Sequence, residues 1–226
     1  MPIPQRNVAR HHVKPDWLSD SPRAAKAAGK NARRGGSPYT DQNLQPLLDG
    51  AGVIHDDTPE EGGWLFLARG RGRRRRALTP EELRTPYTQW PRAKFVRLRR
   101  TRRLGVRYVT RVRPYLFVEM LQAHKDAGAI PCCEIKKKFP KRIVQAMGRA
   151  ADRLGMPKYA MALVYQSRKH PAPGARMAIA GEKLRDFHDE DWETALLTHD
   201  FPPPPDLDTW RPFIDAYWGH NAEEYR

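Results

Sequence analysis

The stretch Phe95-Val96-Arg97-Leu98-Arg99-Arg100-Thr101-Arg102-Arg103-Leu104-Gly105-Val106-Arg107-Tyr108-Val109-Thr110-Arg111-Val112-Arg113-Pro114-Tyr115-Leu116-Phe117-Val118-Glu119-Met120 decides how the chain is read. Phe95, Arg97 and Arg99 alternate with Val96 and Leu98. After Leu104-Gly105, Val106, Tyr108, Thr110 and Val112 alternate with Arg107, Val109, Arg111 and Arg113. A period of two marks a half-buried strand, and glycine at the break marks a turn. The stretch therefore reads as a hairpin followed by a third, more apolar strand from Tyr115 to Met120. Arg97, Arg99, Arg100, Arg102, Arg103, Arg107, Arg111 and Arg113 lie on the hairpin with Phe95 and Tyr108 between them. A guanidinium fork donates in pairs to phosphate, so these eight are the candidate nucleic-acid contacts. Nothing in the pattern names a base, which leaves a backbone contact.

The charge balance supports this reading. The 226 residues carry a formal net charge of +15. Arg69 to Arg113 holds 17 Lys/Arg against 2 Asp/Glu, so the whole surplus sits there and the rest of the chain is neutral. A concentrated cationic strip attracts polyphosphate and steers its approach. With 39% hydrophobic residues and 21 prolines, the packed core is expected to be smaller than the chain. No apolar run reaches the ~18 residues of a membrane span. The N-terminus lacks a signal peptide's apolar segment. Cys132 and Cys133 are adjacent, with no other cysteine to pair with, which fits a reducing interior. A cytoplasmic location, in a bacterial or phage-infected cell, is the expectation.

Outward from the hairpin, residues 1–62 read as a disordered basic tail and tether, with one short helical turn near Leu44–Leu48. Order is expected to begin at the apolar run Trp64-Leu65-Phe66-Leu67. Thr79-Pro80-Glu81-Glu82 is a helix start, with a capping hydroxyl, proline at the first helical position and acidic residues in the first turn. A short strand is expected at Ala129–Ile135. Pro140 opens an amphipathic helix, with Ile143, Val144, Met147, Ala151 and Leu154 on one face and Gly155 at its end. Tyr159–Tyr165 is an apolar strand. Beyond it come a Pro/Gly linker, a run at Met177–Ala180, an acidic helical segment at Asp189–Leu197, and an acidic, aromatic tail from residue 201 that opens on four prolines. The order suggests an α+β sandwich, with helices on one face of an antiparallel sheet.

A Trp-led strand, a basic hairpin and then Arg-Pro-Tyr-Leu-Phe-Val-Glu resembles the N-terminal domain of NusG transcription elongation and antitermination factors, in the divergent form of phages and prophages. The resemblance spans roughly 64–200, with the N-terminal-like domain at 63–166. Pro173-Gly174-Ala175-Arg176-Met177-Ala178-Ile179, with Gly181, is similar to the opening of that family's KOW β module, which places a degenerate module at 167–200. The resemblance implies a non-catalytic monomer that binds RNA polymerase and nearby DNA or nascent RNA. It implies a polymerase-facing apolar patch of Trp64, Phe66, Tyr115 and Phe117, and no cofactor or metal.

Two alternatives stand beside it. Glu134-Ile135-Lys136, followed by a helix and a strand, resembles the half-motif of the PD-(D/E)xK metal-dependent nucleases. That motif needs a second carboxylate for the metal, which Glu119 or Asp126 would supply, and a lysine to orient the attacking water. The other is a ribosome-associated or packaging protein that uses its basic tails. His55-Asp56-Asp57, His188-Asp189-Glu190-Asp191 and His199-Asp200 invite a metal reading, but neighbours in sequence point apart and none makes a site alone, so they read as solvated acidic caps.

Overall fold

A computed structural model describes residues 5–8, 25–26, 30, 33–34, 39–69, 75–102, 108–109, 113–163, 173–198 and 216–220. The region after residue 113 is an alternation of helices and strands. It runs β9 (Tyr115–Leu116), α3 (Phe117–Ala127), β10 (Ile130–Ile135), α4 (Lys141–Leu154), β11 (Tyr159–Leu163), α5 (Pro173–His188), β12 (Glu193–Thr198) and β13 (Ala216–His220). A helix between consecutive strands returns the chain to the end it left, so strands joined this way pair in parallel. Cys133 pairs with Ala160, and Tyr159 to Leu163 pair in register with Glu193 to Leu197. The helix ends follow local chemistry. Pro140 holds the extended conformation before α4, and Gly128 and Gly155 end α3 and α4 at φ 72° and 62°, where a side chain would be strained.

The N-terminal strands complete the sheet. They are β1 (Gln5–Val8), β2 (Tyr39–Leu47) and β3 (Gly50–Val53). The order is β1-β13-β12-β11-β10-β2-β3-β9, with every pair from β1 to β2 parallel and β3 antiparallel to both its neighbours. The parallel run curls, so that Cα atoms of β1 come within 8 Å of those of β2. Its outer face packs under α3, α4 and α5 through Leu44, Cys133, Ile135, Ala160, Ala162, Val144, Met147, Leu184 and Phe187. Its inner face holds Cys132, Met161 and Ala195, with Tyr39 and Tyr159 stacked edge to face at 6.0 Å.

A second core fills the segment between β3 and β9. It includes β4 (Phe66–Ala68), β5 (Arg75–Ala77), α1 (Pro80–Arg84), α2 (Arg92–Phe95), β6 (Leu98–Arg99) and the antiparallel pair β7 (Thr101–Arg102) and β8 (Tyr108–Val109). Strands β5, β4 and β6 form a small antiparallel sheet in that order. Trp64, Leu67, Leu78, Tyr87, Trp90, Phe95 and Leu98 are buried together, and Leu47 and Ile54 tie them to the main sheet.

This architecture is α/β. The antiparallel sandwich is ruled out by the parallel pairings from β1 to β2, which an antiparallel hairpin sheet cannot contain. Phe95 ends a short helix, and among the described residues Thr101↔Val109 and Arg102↔Tyr108 pair as a hairpin. The expected third strand stops at Leu116, because Phe117 opens α3. Met177–Ala180 lies inside α5, a helix where the KOW-like β module was expected to open, and Glu193–Thr198 is a strand of the main sheet where a helix was expected. Residues 40–62 form β2 and β3 in place of a tether. Of the linker expected at 170–174, Pro173 and Gly174 open α5, while 170–172 and the Pro-rich run at 202–205 lie outside the described residues.

Candidate functional site

Strand β2 is central to the sheet and nearly all buried, yet it reads Tyr-Thr-Asp-Gln-Asn-Leu-Gln-Pro-Leu. Polar side chains at buried positions need partners. On the outer face, the imidazole of His124 on α3 lies 2.9 Å from the Thr40 hydroxyl, and Tyr115 donates to Gln42 at 3.0 Å. On the inner face, Asp41, Asn43 and Gln45 follow one another at every second residue, each at most 1% exposed. Opposite them, Cys132 pairs with Asp41 and Glu134 with Asn43.

Polar and charged groups converge at the carboxyl ends of β2 and β10. Gln45 donates to Asp57 Oδ1 at 2.7 Å and to the carbonyl of Asp56 at 3.3 Å. His55 Nδ1 lies 3.2 Å from Asp56 Oδ1, and Lys137 Nζ lies 2.9 Å from Asp57 Oδ2. Glu134, only 3% exposed, receives the ammonium of Lys136 at 2.6 Å. Lys183 on α5 is within electrostatic reach: burial pushes its amine below the ordinary lysine value, the charge of Lys136 adds to that shift, and the charges of Glu134 and Asp57 oppose it. The hydrogen bond from His55 holds the Asp56 carboxyl low, burial works against it, and the charges of Arg100 and Lys136 lower it further. Arg100 donates to the carbonyl of Gly62 at 2.8 Å and lies over the Trp64 ring at 4.8 Å. The mouth thus combines three carboxylates, an imidazole and several cations. Ionisable groups that perturb one another at close range are what proton-transfer chemistry uses. In parallel sheets such sites lie at the carboxyl ends of strands.

Among the residues expected from sequence, Glu134 and Lys136 are in this mouth. Glu119 is not. It sits at the start of α3, against the outer face, where burial would raise its carboxyl but the Arg113 guanidinium and the Leu116 N–H lower it on balance. Asp126, exposed on α3, accepts from Gln122. The two carboxylates of a nuclease half-motif are therefore on opposite sides of the sheet. Trp64, Tyr115 and Phe117 are at most 2% exposed and lie in two separate cores, and Phe66 alone of that group is half-buried, so the four form no apolar patch. Arg97, Arg99, Arg100 and Arg113 are described in full, Arg102 only as part of β7, and Arg103, Arg107 and Arg111 lie outside the described residues. Among the described residues, no group of three or more His, Cys, Asp or Glu is arranged to hold a metal ion, and no helix is long and apolar enough to cross a membrane.

The parallel sheet decides the family question. The NusG resemblance fails. No family model matches the chain, and the comparison with curated proteins finds no match. Among solved structures, the chain is similar to a glycerophosphodiester phosphodiesterase from Agrobacterium tumefaciens str. C58, with 11% identity, a TM-score of 0.48 and 96% of each chain covered. It is also similar to a protein assigned as a phosphonomutase from Burkholderia cenocepacia J2315, with 15% identity, a TM-score of 0.31, and 48% of this chain and 58% of that one covered. Likenesses this distant assign no family and no chemistry, which must come from the residues of the mouth.

Proposed function

We propose that the chain is an enzyme that acts on a phosphate ester at the carboxyl ends of β2 and β10. The observation that carries this reading is the buried Glu134 carboxylate beside Lys136, with the half-buried Lys183 within electrostatic reach of both. A carboxylate in that position is costly unless it is paired, and a second ammonium nearby makes the pocket suited to an anion. Lys136, Lys183 and Arg100 supply positive charge where a phosphoryl group's oxygens gain charge as the ester breaks. His55, oriented by Asp56, gives a proton to the leaving oxygen. Water attacks phosphorus, the P–O ester bond breaks, and the proton of the water passes to Glu134.

Release of p-nitrophenolate from bis(p-nitrophenyl) phosphate and from p-nitrophenyl phosphate, each with and without magnesium, tests the reading. Turnover by the wild-type chain is expected. Glu134→Gln and His55→Asn are each expected to lower kcat by about 100-fold or more while the melting temperature of the His55 variant holds. A wild-type chain that turns over neither compound, or variants that keep its rate, would contradict it.

A further inference from the structure

The small sheet β5-β4-β6 has two unlike faces. Leu67 and Leu98 pair across it and point into the second core, which Leu78 joins just beyond β5. One residue out of phase, Phe66 pairs with both Ala77 and Arg99, and Ala68 pairs with Arg75. Arg97 lies beside Ala68, since its backbone carbonyl accepts the Ala68 N–H at 2.8 Å and its own Nε donates to the Ala68 carbonyl at 2.8 Å. The face away from the core therefore carries Arg75, Arg97 and Arg99 around a half-buried Phe66.

Folding gathers these charges against their own repulsion. Burial pushes the guanidinium of Arg99 down, and the neighbouring charges of Arg113 and Arg75 push it further. Among the described residues, Arg97 and Arg99 bond only to backbone carbonyls. Arg99 donates to Val96 at 3.1 Å and to Leu98 at 2.7 Å. A guanidinium has five N–H donors, so both keep donors for a further acceptor. The neighbouring Arg76 and Arg113 are instead neutralised by Glu82 and Glu119. Strands β4, β5 and β6 contain no acidic residue.

We propose that this arginine face binds a single-stranded nucleic acid, with phosphates at Arg75, Arg97 and Arg99 and a base against Phe66. Charge complementarity selects the polyphosphate backbone, and an aromatic ring set among arginines is the arrangement on which unpaired bases stack. A protein partner offering acidic side chains would use the charge but leave the ring without a role. The face stands apart from the mouth. Its occupancy is read by binding, so it can fail or hold independently of the phosphate-ester reading.

The test is fluorescence anisotropy of a labelled 20-nucleotide oligothymidylate titrated with the full chain over a range of salt. Arg75→Gln/Arg99→Gln is expected to weaken binding by about tenfold or more and to flatten the salt slope by roughly 0.7 log units for each phosphate no longer bound. Because Arg99 sits among like charges, the melting temperature of this variant is expected to hold or rise, which removal of a structural residue would not give. Phe66→Leu is expected to weaken binding with the salt slope unchanged. Arg149→Gln/Arg153→Gln, on the exposed side of α4, is expected to bind as the wild type does. Wild-type affinity in the Arg75/Arg99 variant, an equal loss in the α4 control, or stronger competition by a 20-base-pair duplex than by the single strand would overturn the proposal.

Discussion

His124 shows how one buried side chain sets a pH dependence. Its Nδ1 lies 2.8 Å from the Met120 carbonyl, which can only accept, so Nδ1 carries the proton and Nε2 accepts from the Thr40 hydroxyl. Burial pushes the imidazole down to about 4 from an ordinary 6.5. Between those values the unfolded chain binds a proton that the folded chain refuses. Stability therefore rises with pH across that window, and acidification from pH 6.5 to 4 is expected to remove on the order of 3 kcal/mol from this group alone. Chemical denaturation at a series of pH values checks it. His124→Gln is expected to lower stability at neutral pH and to flatten the slope between pH 4 and 6.5. An unchanged slope would place the titrating group elsewhere. The mouth was partly legible at the same scale. Glu134-Ile135-Lys136 stands out in the sequence by its chemistry, whereas His55-Asp56-Asp57 reads there as a solvated acidic cap. What could not be read was that Gln45 and Lys137 hold Asp57 beside them, since those contacts need β2 and β10 to be neighbours.

Among the elements, those legible in sequence have local causes. Helix α1 begins where the Thr79 hydroxyl accepts the Glu82 N–H and the Glu82 carboxylate accepts the Thr79 N–H. Thr79→Ala is expected to cost about 1 kcal/mol, measured by denaturant midpoint. Helix α4 announced itself by its apolar stripe and the glycine after it. Strand β2 did not, because alternation of apolar and polar residues is the signal for a strand with one wet face. This strand carries its polar residues inward to the mouth and satisfies Thr40 and Gln42 outward through His124 and Tyr115. The Asp49-Gly50 turn signal between β2 and β3 was the clue available. Gly52 on β3 shows how the arginine-rich segment is seated. A Cβ there would lie 2.6 Å from Phe95 Cζ, and Phe95 is fully buried in the second core. Gly52→Ala is expected to destabilise the chain by about 1–3 kcal/mol, as overpacking does. A variant that melts with the wild type would mean that the second core does not press on the sheet.

For the whole molecule, the misleading signal was the arginine strip. Its alternation set the sheet as antiparallel, yet it belongs to the segment inserted between β3 and β9, while the parallel sheet is built from short, weakly patterned strands far apart in sequence. Strand β1 pairs with β13, and β2 with β10, pairings between segments far apart in sequence. On the function proposed above, the carboxyl ends of β2 and β10 bind the substrate's phosphate. Hydrogen–deuterium exchange with and without orthovanadate, a phosphate-like anion, tests it most directly. Slower exchange in peptides covering residues 43–57 and 134–137 is expected, with residues 75–99 changed less. Protection absent from 43–57 and 134–137, or confined to 75–99, would contradict it.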